Sequence, residues 1–303
     1  DSWAYKYEDY PNSKTFSHNN GNVDKEYYTE GLYVGYRYFD SFDVPVRYGF
    51  GYGLSYTTFE TKVLSTVLRD NKIIIETETT NTGDAYSGKE VVQLYATCPA
   101  GKLEKEYRRL VAFGKTGLLA PGQSEKMTLE ITLDKLTSYS ETEAAWILEK
   151  GSYVIWEGNS LEASVPCAVL ALDADVTLTK TQNICPLKEE LEEMKQSSEK
   201  MNQKLAALLK LTEEKNLPVM ELKSADVVTR VVEYRSNAEC VPAEAREFVN
   251  TLSTEKLVAL ASGDPGKGQG SNLGSAGISV PGSAGETNDC ALEDGIPGIV
   301  LSD

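Results

Sequence analysis

Lys126-Met127-Thr128-Leu129-Glu130-Ile131-Thr132-Leu133 decides the fold of the middle of this chain. Met127, Leu129, Ile131 and Leu133 share one parity, and Lys126, Thr128, Glu130 and Thr132 share the other. Successive side chains of a strand project to opposite faces, so a period of two buries one face of a sheet and leaves the other in water. Val92, Leu94 and Ala96 repeat the pattern, as do Ile73, Ile75 and Thr77. Turn residues separate these runs at Asn81-Thr82-Gly83-Asp84, Ala120-Pro121-Gly122-Gln123 and Lys150-Gly151-Ser152. Short alternating strands with regular turns and no helical stretch predict an antiparallel β-sandwich over residues 57–180. Within it, Ala145-Trp146-Ile147-Leu148 and Tyr153-Val154-Ile155-Trp156 read as a hairpin. Its two tryptophans are expected to be core anchors rather than sugar-stacking platforms, because aromatic side chains bury large areas.

The flanks have a different texture. Residues 1–56 are rich in Tyr, Gly and Asn and poor in aliphatic core residues, so they read as the edge of a larger body. Leu32-Tyr33-Val34-Gly35-Tyr36-Arg37-Tyr38-Phe39 has strand composition, and Gly49-Phe50-Gly51-Tyr52-Gly53 is a loop. Beyond the sandwich, residues 181–245 read as a helical linker. Leu187, Leu191, Met194, Met201, Leu205 and Leu208 follow a 4-3 spacing among Glu and Lys, broken at Ser198. This predicts an amphipathic helix of about six turns, from about Leu187 to Leu209, with Pro186 just inside its start. With too few clean heptads for a coiled coil, it reads as a covering connector. A shorter helix is expected over roughly 224–235, and another from Ala243 to Leu260. The glycine-rich stretch that follows is not a phosphate loop. Gly268 follows Lys267 where Ser or Thr is needed, and no strand leads into it. Ile299-Val300-Leu301 reads as a fully apolar strand that runs into Asp303.

Composition narrows the partners. The 303 residues carry a net charge of −16, which repels phosphate backbones and disfavours nucleic acid, whereas a neutral sugar is compatible with it. No apolar run approaches the ~18 residues that suggest a membrane span. Five cysteines at wide spacing, without a CxxC pair and with His18 as the single histidine, argue against a zinc site. Scattered cysteines and the lack of a signal-peptide pattern suggest a reducing, cytoplasmic setting.

Two linked motifs carry a resemblance. Glu30-Gly31-Leu32-Tyr33-Val34-Gly35-Tyr36-Arg37-Tyr38-Phe39-Asp40 is followed by Tyr48-Gly49-Phe50-Gly51-Tyr52-Gly53-Leu54-Ser55-Tyr56-Thr57-Thr58-Phe59. Together they resemble glycoside hydrolase family 3, where an α/β sandwich domain passes into a fibronectin type III-like domain. The family often has His where this chain has Tyr52, so a role for that His does not carry over. Leu119-Ala120-Pro121-Gly122-Gln123-Ser124 resembles the turn before a strand of the fibronectin-like domain. Gly295-Ile296-Pro297 with Val300-Leu301-Ser302-Asp303 resembles the first strand of the family's barrel and the Asp that binds sugar in subsite −1. Pro281-Gly282-Ser283-Ala284-Gly285-Glu286-Thr287 resembles the loop before that strand.

The resemblance implies a mostly β chain with four regions. Residues 1–56 would be the C-terminal end of the α/β sandwich domain, and 57–180 the fibronectin-like domain. Residues 181–245 would be the helical linker, and 246–303 the start of a TIM-type barrel. Because the barrel usually comes first, this order implies the circularly permuted, bacterial subgroup. A tandem fusion of two enzymes remains open, as does homo-oligomerisation. The implied activity is retaining hydrolysis of terminal β-D-glucosyl residues from β-glucosides or oligosaccharides, without cofactor or metal. In the family the nucleophile Asp lies later in the barrel and the acid/base Glu lies in the α/β domain before this chain starts. Neither motif occurs here, so the fragment alone is expected to be inactive. Asp303 is the one residue carried over, as a sugar-hydroxyl ligand. The alternative is a non-catalytic fibronectin-like spacer or carbohydrate-binding module on a helical stalk.

Overall fold

A computed structural model describes residues 2–187, 189, 191–236, 240–262, 285–287 and 289–301. The chain divides into two compact units, Asp1–Tyr234 and Arg235–Asp303.

The first unit opens with an irregular segment held by short elements. Strand β1 (Trp3–Ala4) pairs antiparallel with β2 (Val46–Tyr48), and helix α1 (Tyr36–Ser41) lies between them in sequence. The strand expected over 32–39 does not form. Gly35 adopts φ 61° and turns the chain into α1, so the aromatic run is split between a loop and a helix. The loop expected at 49–53 is present, with Tyr52 N donating to Gly49 O at 3.1 Å.

The sandwich follows. β3 (Phe59–Arg69) and β4 (Lys72–Asn81) form a hairpin across Asp70 and Asn71, whose φ values of 49° and 57° fit the two-residue turn that matches strand twist. Then come β5 (Val91–Thr97), β6 (Arg109–Lys115) and β7 (Ser124–Thr132), which completes a β3-β4-β7 sheet. β8 (Ser138–Ser140), β9 (Ala145–Leu148), β10 (Gly151–Gly158), β11 (Val165–Leu172) and β12 (Val176–Lys180) close the fibronectin-like region. The second face of the sandwich is β6-β5-β10-β11, antiparallel throughout. The predicted alternation is borne out, since Ile73, Ile75, Leu129 and Ile131 meet Val92, Leu94, Ile155 and Leu170 in one buried cluster.

The expected hairpin between 145–148 and 153–156 is not formed. β9 pairs with β8 and β12, and β10 pairs with β5 and β11. The connecting Glu149 is buried in an ion pair with Lys105, which pins the chain where it crosses between sheets. Trp156 is a core anchor as expected, but Trp146 is 43% exposed, because β9 lies in a sheet with one open face.

The connector differs most from expectation. Helix α2 spans Ser198–Glu214, not 187–209, and Pro186 lies well before its start. Glu189, Glu192 and Glu193 would stand three and four apart on a helix, where like charges repel. Those residues instead run along the unit, with Met194 N donating to Thr29 O at 2.7 Å and Gln196 N to the Glu104 carboxylate at 2.7 Å. The helix expected over 224–235 is replaced by a single 3-10 turn, Ser224–Asp226, between two strands. β13 (Val219–Leu222) joins the large sheet parallel to β11, and β14 (Arg230–Val231) pairs parallel with β12 in the β14-β12-β9-β8 sheet.

α2 also covers the outer face of the five-stranded sheet. Leu208 is buried with Tyr95, Val154, Trp156, Leu161 and Val169, and Tyr36 and Phe50 pack on the same cluster. That explains why β10 reads Val154-Ile155-Trp156 without polar interruption, as a strand buried on both faces does.

In the second unit, the helix expected from Ala243 to Leu260 is two helices, α3 (Ala243–Val249) and α4 (Thr254–Ser262). Ser253 Oγ accepts from Lys256 N at 3.2 Å, which caps the start of α4 and breaks the run. β15 (Gly285–Glu286) pairs antiparallel with β16 (Val300–Leu301). No closed barrel occurs among the described residues. None of the described helices is long and apolar enough to cross a membrane.

Asn81 ties the end of the sandwich together. It is fully buried, its amide donates to Tyr86 O and Leu119 O, both at 2.9 Å, and its Oδ1 accepts from Gly83 N at 3.1 Å. Asn81→Ala should cost about 2–4 kcal/mol, since two carbonyls and one N–H lose buried partners. Urea unfolding should show a lower midpoint with an unchanged slope.

Candidate functional site

Asp303, the one site residue carried from the sequence, lies outside the described residues. The approach to it is described. Gly295 (φ 85°) closes a turn with its N–H on Leu292 O at 3.0 Å, and Thr287 and Ile299 exchange backbone and side-chain bonds at 2.9 and 2.7 Å. The chain therefore enters β16 through a defined turn.

The most elaborate polar site in the first unit joins the 33–53 segment to the sandwich. Arg108, just before β6, faces Asp40 at the end of α1. Its Nε donates to Asp40 Oδ2 at 3.0 Å and a terminal nitrogen to Oδ1, so the pair is bidentate. The other terminal nitrogen donates to Leu161 O at 2.8 Å and Ser164 Oγ at 2.9 Å. The guanidinium lies over Trp156, 4.9 Å from its ring centroid, and 5.6 Å from that of Tyr107. Lys204, from α2, caps the other side with its Nζ 4.7 Å from the Tyr107 ring and 2.6 Å from Asp43. α1 also serves the exposed edge of β6. Tyr107 N donates to Ser41 Oγ at 2.9 Å and Leu110 N to Tyr36 Oη at 2.8 Å.

A second charged layer lies beside the first. Lys105 pairs with Glu149, and Arg109 with Glu106 at 2.9 Å, all nearly buried. Tyr33 donates to Glu104, and burial together with that carboxylate pushes its phenol far above the usual range. Cys98 is fully buried and its thiol is pushed up by burial. Cys167 is pushed up to about 12, by burial and then by Glu157, so neither thiol is a nucleophile at neutral pH.

These groups bind each other rather than a substrate. The cavity beside Cys98, Glu104 and Gln196 holds about 110 Å³, well below the roughly 300 Å³ of a ligand pocket. No cluster of three metal-ligating side chains occurs among the described residues. Retaining glycoside hydrolysis needs two carboxyl groups roughly 5–5.5 Å apart with access to a sugar. Asp40, Glu106 and Glu149 are instead neutralised by buried cations. Glu157, on β10, is raised from 4.5 to about 7 by burial and then by Glu90, and it is a buried sandwich residue. Sequence reasoning missed the Arg108–Asp40 pair because its partners stand 68 residues apart. The available signal was Asp40 itself, closing the aromatic 30–40 motif.

Residues 90–161 match the family model of the fibronectin type III-like domain. A β-glucosidase of Ruminococcus albus is 39% identical over 180 residues, which is 57% of this chain and 18% of that enzyme. β-Glucosidase 3B of Thermotoga neapolitana, solved with α-D-glucose, superposes with a TM-score of 0.54 at 36% identity, over 58% of this chain and 24% of its own. A β-glucosidase of Paenibacillus barengoltzii superposes over all of this chain and 34% of its own, with a TM-score of 0.65 at 28% identity. The chain thus spans about a fifth of the length of the curated relatives it matches.

Two outcomes are expected at the charged sites. Arg108→Met should destabilise the chain by about 3–5 kcal/mol, because it strands the buried Asp40 carboxylate. The double variant Arg108→Met/Asp40→Leu should recover much of that loss, as read by urea midpoints. Glu157 makes stability pH-dependent with a definite sign. Its folded pKa of about 7 exceeds its ordinary 4.5, so the fold binds the extra proton and stability falls as pH rises from about 4.5 to about 7. The total is at most about 3 kcal/mol. Glu157→Gln should raise the urea midpoint at pH 8 and leave it nearly unchanged at pH 4.

Proposed function

We propose that this chain, a relative of the family 3 β-glucosidases, is the framing segment of a retaining enzyme that removes terminal β-D-glucosyl residues from β-glucosides or oligosaccharides. The observation that carries this is the identity of 39% to a β-glucosidase over 57% of the chain, in a chain whose residues 90–161 match a fibronectin type III-like domain. In this proposal, residues 1–56 complete an α/β sandwich domain and residues from about 246 begin the barrel, with Asp303 holding sugar hydroxyls in subsite −1. The order is permuted. Its support is that the Paenibacillus enzyme accommodates the whole chain in one superposition. The setting is a reducing cytoplasm.

A stalk-mounted spacer would serve a different architecture. It would hold α2 away from the sandwich, whereas Leu208 of α2 is buried to 4% exposure on the sheet. A connector that returns two strands to the sandwich sheets behaves as part of a frame.

The chemistry belongs to a nucleophile and an acid/base outside these residues. The purified 303-residue chain should therefore show no turnover of an aryl β-glucoside above buffer. The full-length enzyme should hydrolyse it with retention, read by NMR of the first-formed anomer. Asp303→Ala in that enzyme should lower kcat/KM about a hundredfold or more with little change in Tm, because the sugar loses a charged hydrogen-bond partner. Near-normal turnover of that variant would remove Asp303 from the site.

A further inference from the structure

Between β1 and α1 the chain makes a tight turn at residues 17–22. Ser17 and His18 are both left-handed, at φ 54° and 64°, and Gly21 follows at φ 79°. Residues other than glycine adopt that region infrequently, so two in succession mark a closely specified turn. Its own polar groups hold it. His18 Nδ1 and Asn22 O lie 2.6 Å apart, and Gly21 N donates to His18 O at 2.8 Å. At its apex stand Asn20 and Gly21, both exposed.

Asn20 is the one asparagine of the sequence that glycine follows. That pairing has a chemical consequence. A backbone amide nitrogen can attack the side-chain amide carbon of the preceding asparagine and close a five-membered imide. The side chain of the following residue obstructs that attack, and glycine has none. Nor does the surrounding chain crowd it, since a Cβ added at Gly21 would meet nothing within 4 Å.

The contacts of the Asn20 amide suit the same reaction. Its Oδ1 accepts from Asn22 N at 3.0 Å. An N–H in that position stabilises the negative charge that gathers on the oxygen in a tetrahedral intermediate. Its Nδ2, the leaving group, takes no hydrogen bond among the described residues. Other asparagines are held differently. The amide nitrogens of Asn19, Asn71, Asn81, Asn159 and Asn183 each donate to an oxygen, and the residues after them all carry side chains. The bond from Gly21 N to His18 O must open before attack. It lies in an exposed turn, where local opening costs little.

We propose that Asn20-Gly21 is a site of spontaneous deamidation, a covalent modification that needs only water and solvent base. Gly21 N gives its proton to the base and attacks Asn20 Cγ, forming the new C–N bond. The Cγ–Nδ2 bond breaks, and Nδ2 takes a proton and leaves as ammonia. Water then adds to one of the two imide carbonyls and opens the ring. Opening on one side gives aspartate. Opening on the other gives isoaspartate, whose main chain runs through the side-chain carbon. Nothing is oxidised or reduced, and the net change is amide plus water to carboxylate plus ammonium. Each event adds one negative charge to a chain of net −16, and isoaspartate lengthens the backbone of the turn by a methylene. Conversion accumulates with time, so the turn records the age of the molecule.

The test holds the 303-residue chain in mildly alkaline buffer at body temperature, beside a synthetic peptide of residues 15–25 as the unstructured reference. Incubation continues until the peptide has converted. After digestion in mildly acidic buffer, the tryptic peptide 15–25 of the chain should carry the mass gained when –NH2 becomes –OH. It should elute as two product peaks, one of which accepts a methyl group from S-adenosylmethionine through an isoaspartyl methyltransferase. Fragmentation should place the change at Asn20. Gly21→Ala should slow conversion about tenfold or more, because alanine restores the obstructing side chain. Asn20→Gln should abolish it, since the larger ring closes poorly. Equal melting temperatures establish that the variants are folded, and if Gly21→Ala melts lower, Asn20→Gln carries the comparison. The proposal is overturned if the folded chain is unchanged when the peptide has converted, if the change falls on Asn19 or Asn22, or if Asn20→Gln or a folded Gly21→Ala gains the same mass as fast as the parent chain.

Discussion

The five-stranded sheet is buried on both faces, and most of the first unit is arranged by that constraint. Its inner face meets the β3-β4-β7 sheet through Leu94, Ile155 and Leu170. The outer face presents Tyr95, Val154, Trp156 and Val169, which water would leave as a large apolar surface. α1, the Phe50 loop and α2 remove it from water. Three pieces far apart in sequence are thereby drawn to one sheet, and the Arg108–Asp40 pair fixes how the first of them sits. Arg108 is saturated on every side by a carboxylate, a carbonyl, a hydroxyl and two rings, so it specifies position rather than reacting. Desolvating such a pair is costly, and its geometry makes sense as a registration device whose fully bonded state exists in one arrangement only.

What could be read in advance follows from this. Period-two runs such as 126–133 were legible because one face is apolar and the other wet, and β7 has that environment. The β9–β10 join was illegible for the opposite reason. Both strands are apolar enough to pair, and the contacts that hold the crossing, such as buried Glu149–Lys105, join residues 44 apart in sequence. The aromatic run at 32–39 misled because strand propensity is a measure of packing context. At Gly35 the backbone takes a positive φ, and the aromatics that follow serve a helix whose hydroxyls satisfy the edge of β6.

The connector shows how far a helical stripe can be trusted. Leu187 to Leu208 keeps its spacing across Ser198, yet only the part from Ser198 onward is helical. Helix formation over the first half would align Glu189, Glu192 and Glu193 and forgo the bonds from Met194 to Thr29 and from Gln196 to Glu104. Tertiary hydrogen bonds outweigh local propensity there. The candidate site fared differently. Asp303 enters as a candidate only by resemblance and lies outside the described residues, whereas Arg108 and Asp40 carry geometry and no motif.

The two tryptophans bring these constraints together. Trp156 and Trp146 sit in similar apolar tetrapeptides, and sequence alone assigns them the same role. Their fates differ because the large sheet is covered twice and the small sheet once. Within the large sheet the Trp156 indole N–H is satisfied by Thr97. On the small sheet the ring next to Trp146 is held by its hydroxyl while its face stays open. Inside the frame, Asp40, Glu106 and Glu149 are neutralised by buried lysine and arginine, and Glu157 is instead held toward its neutral form by burial.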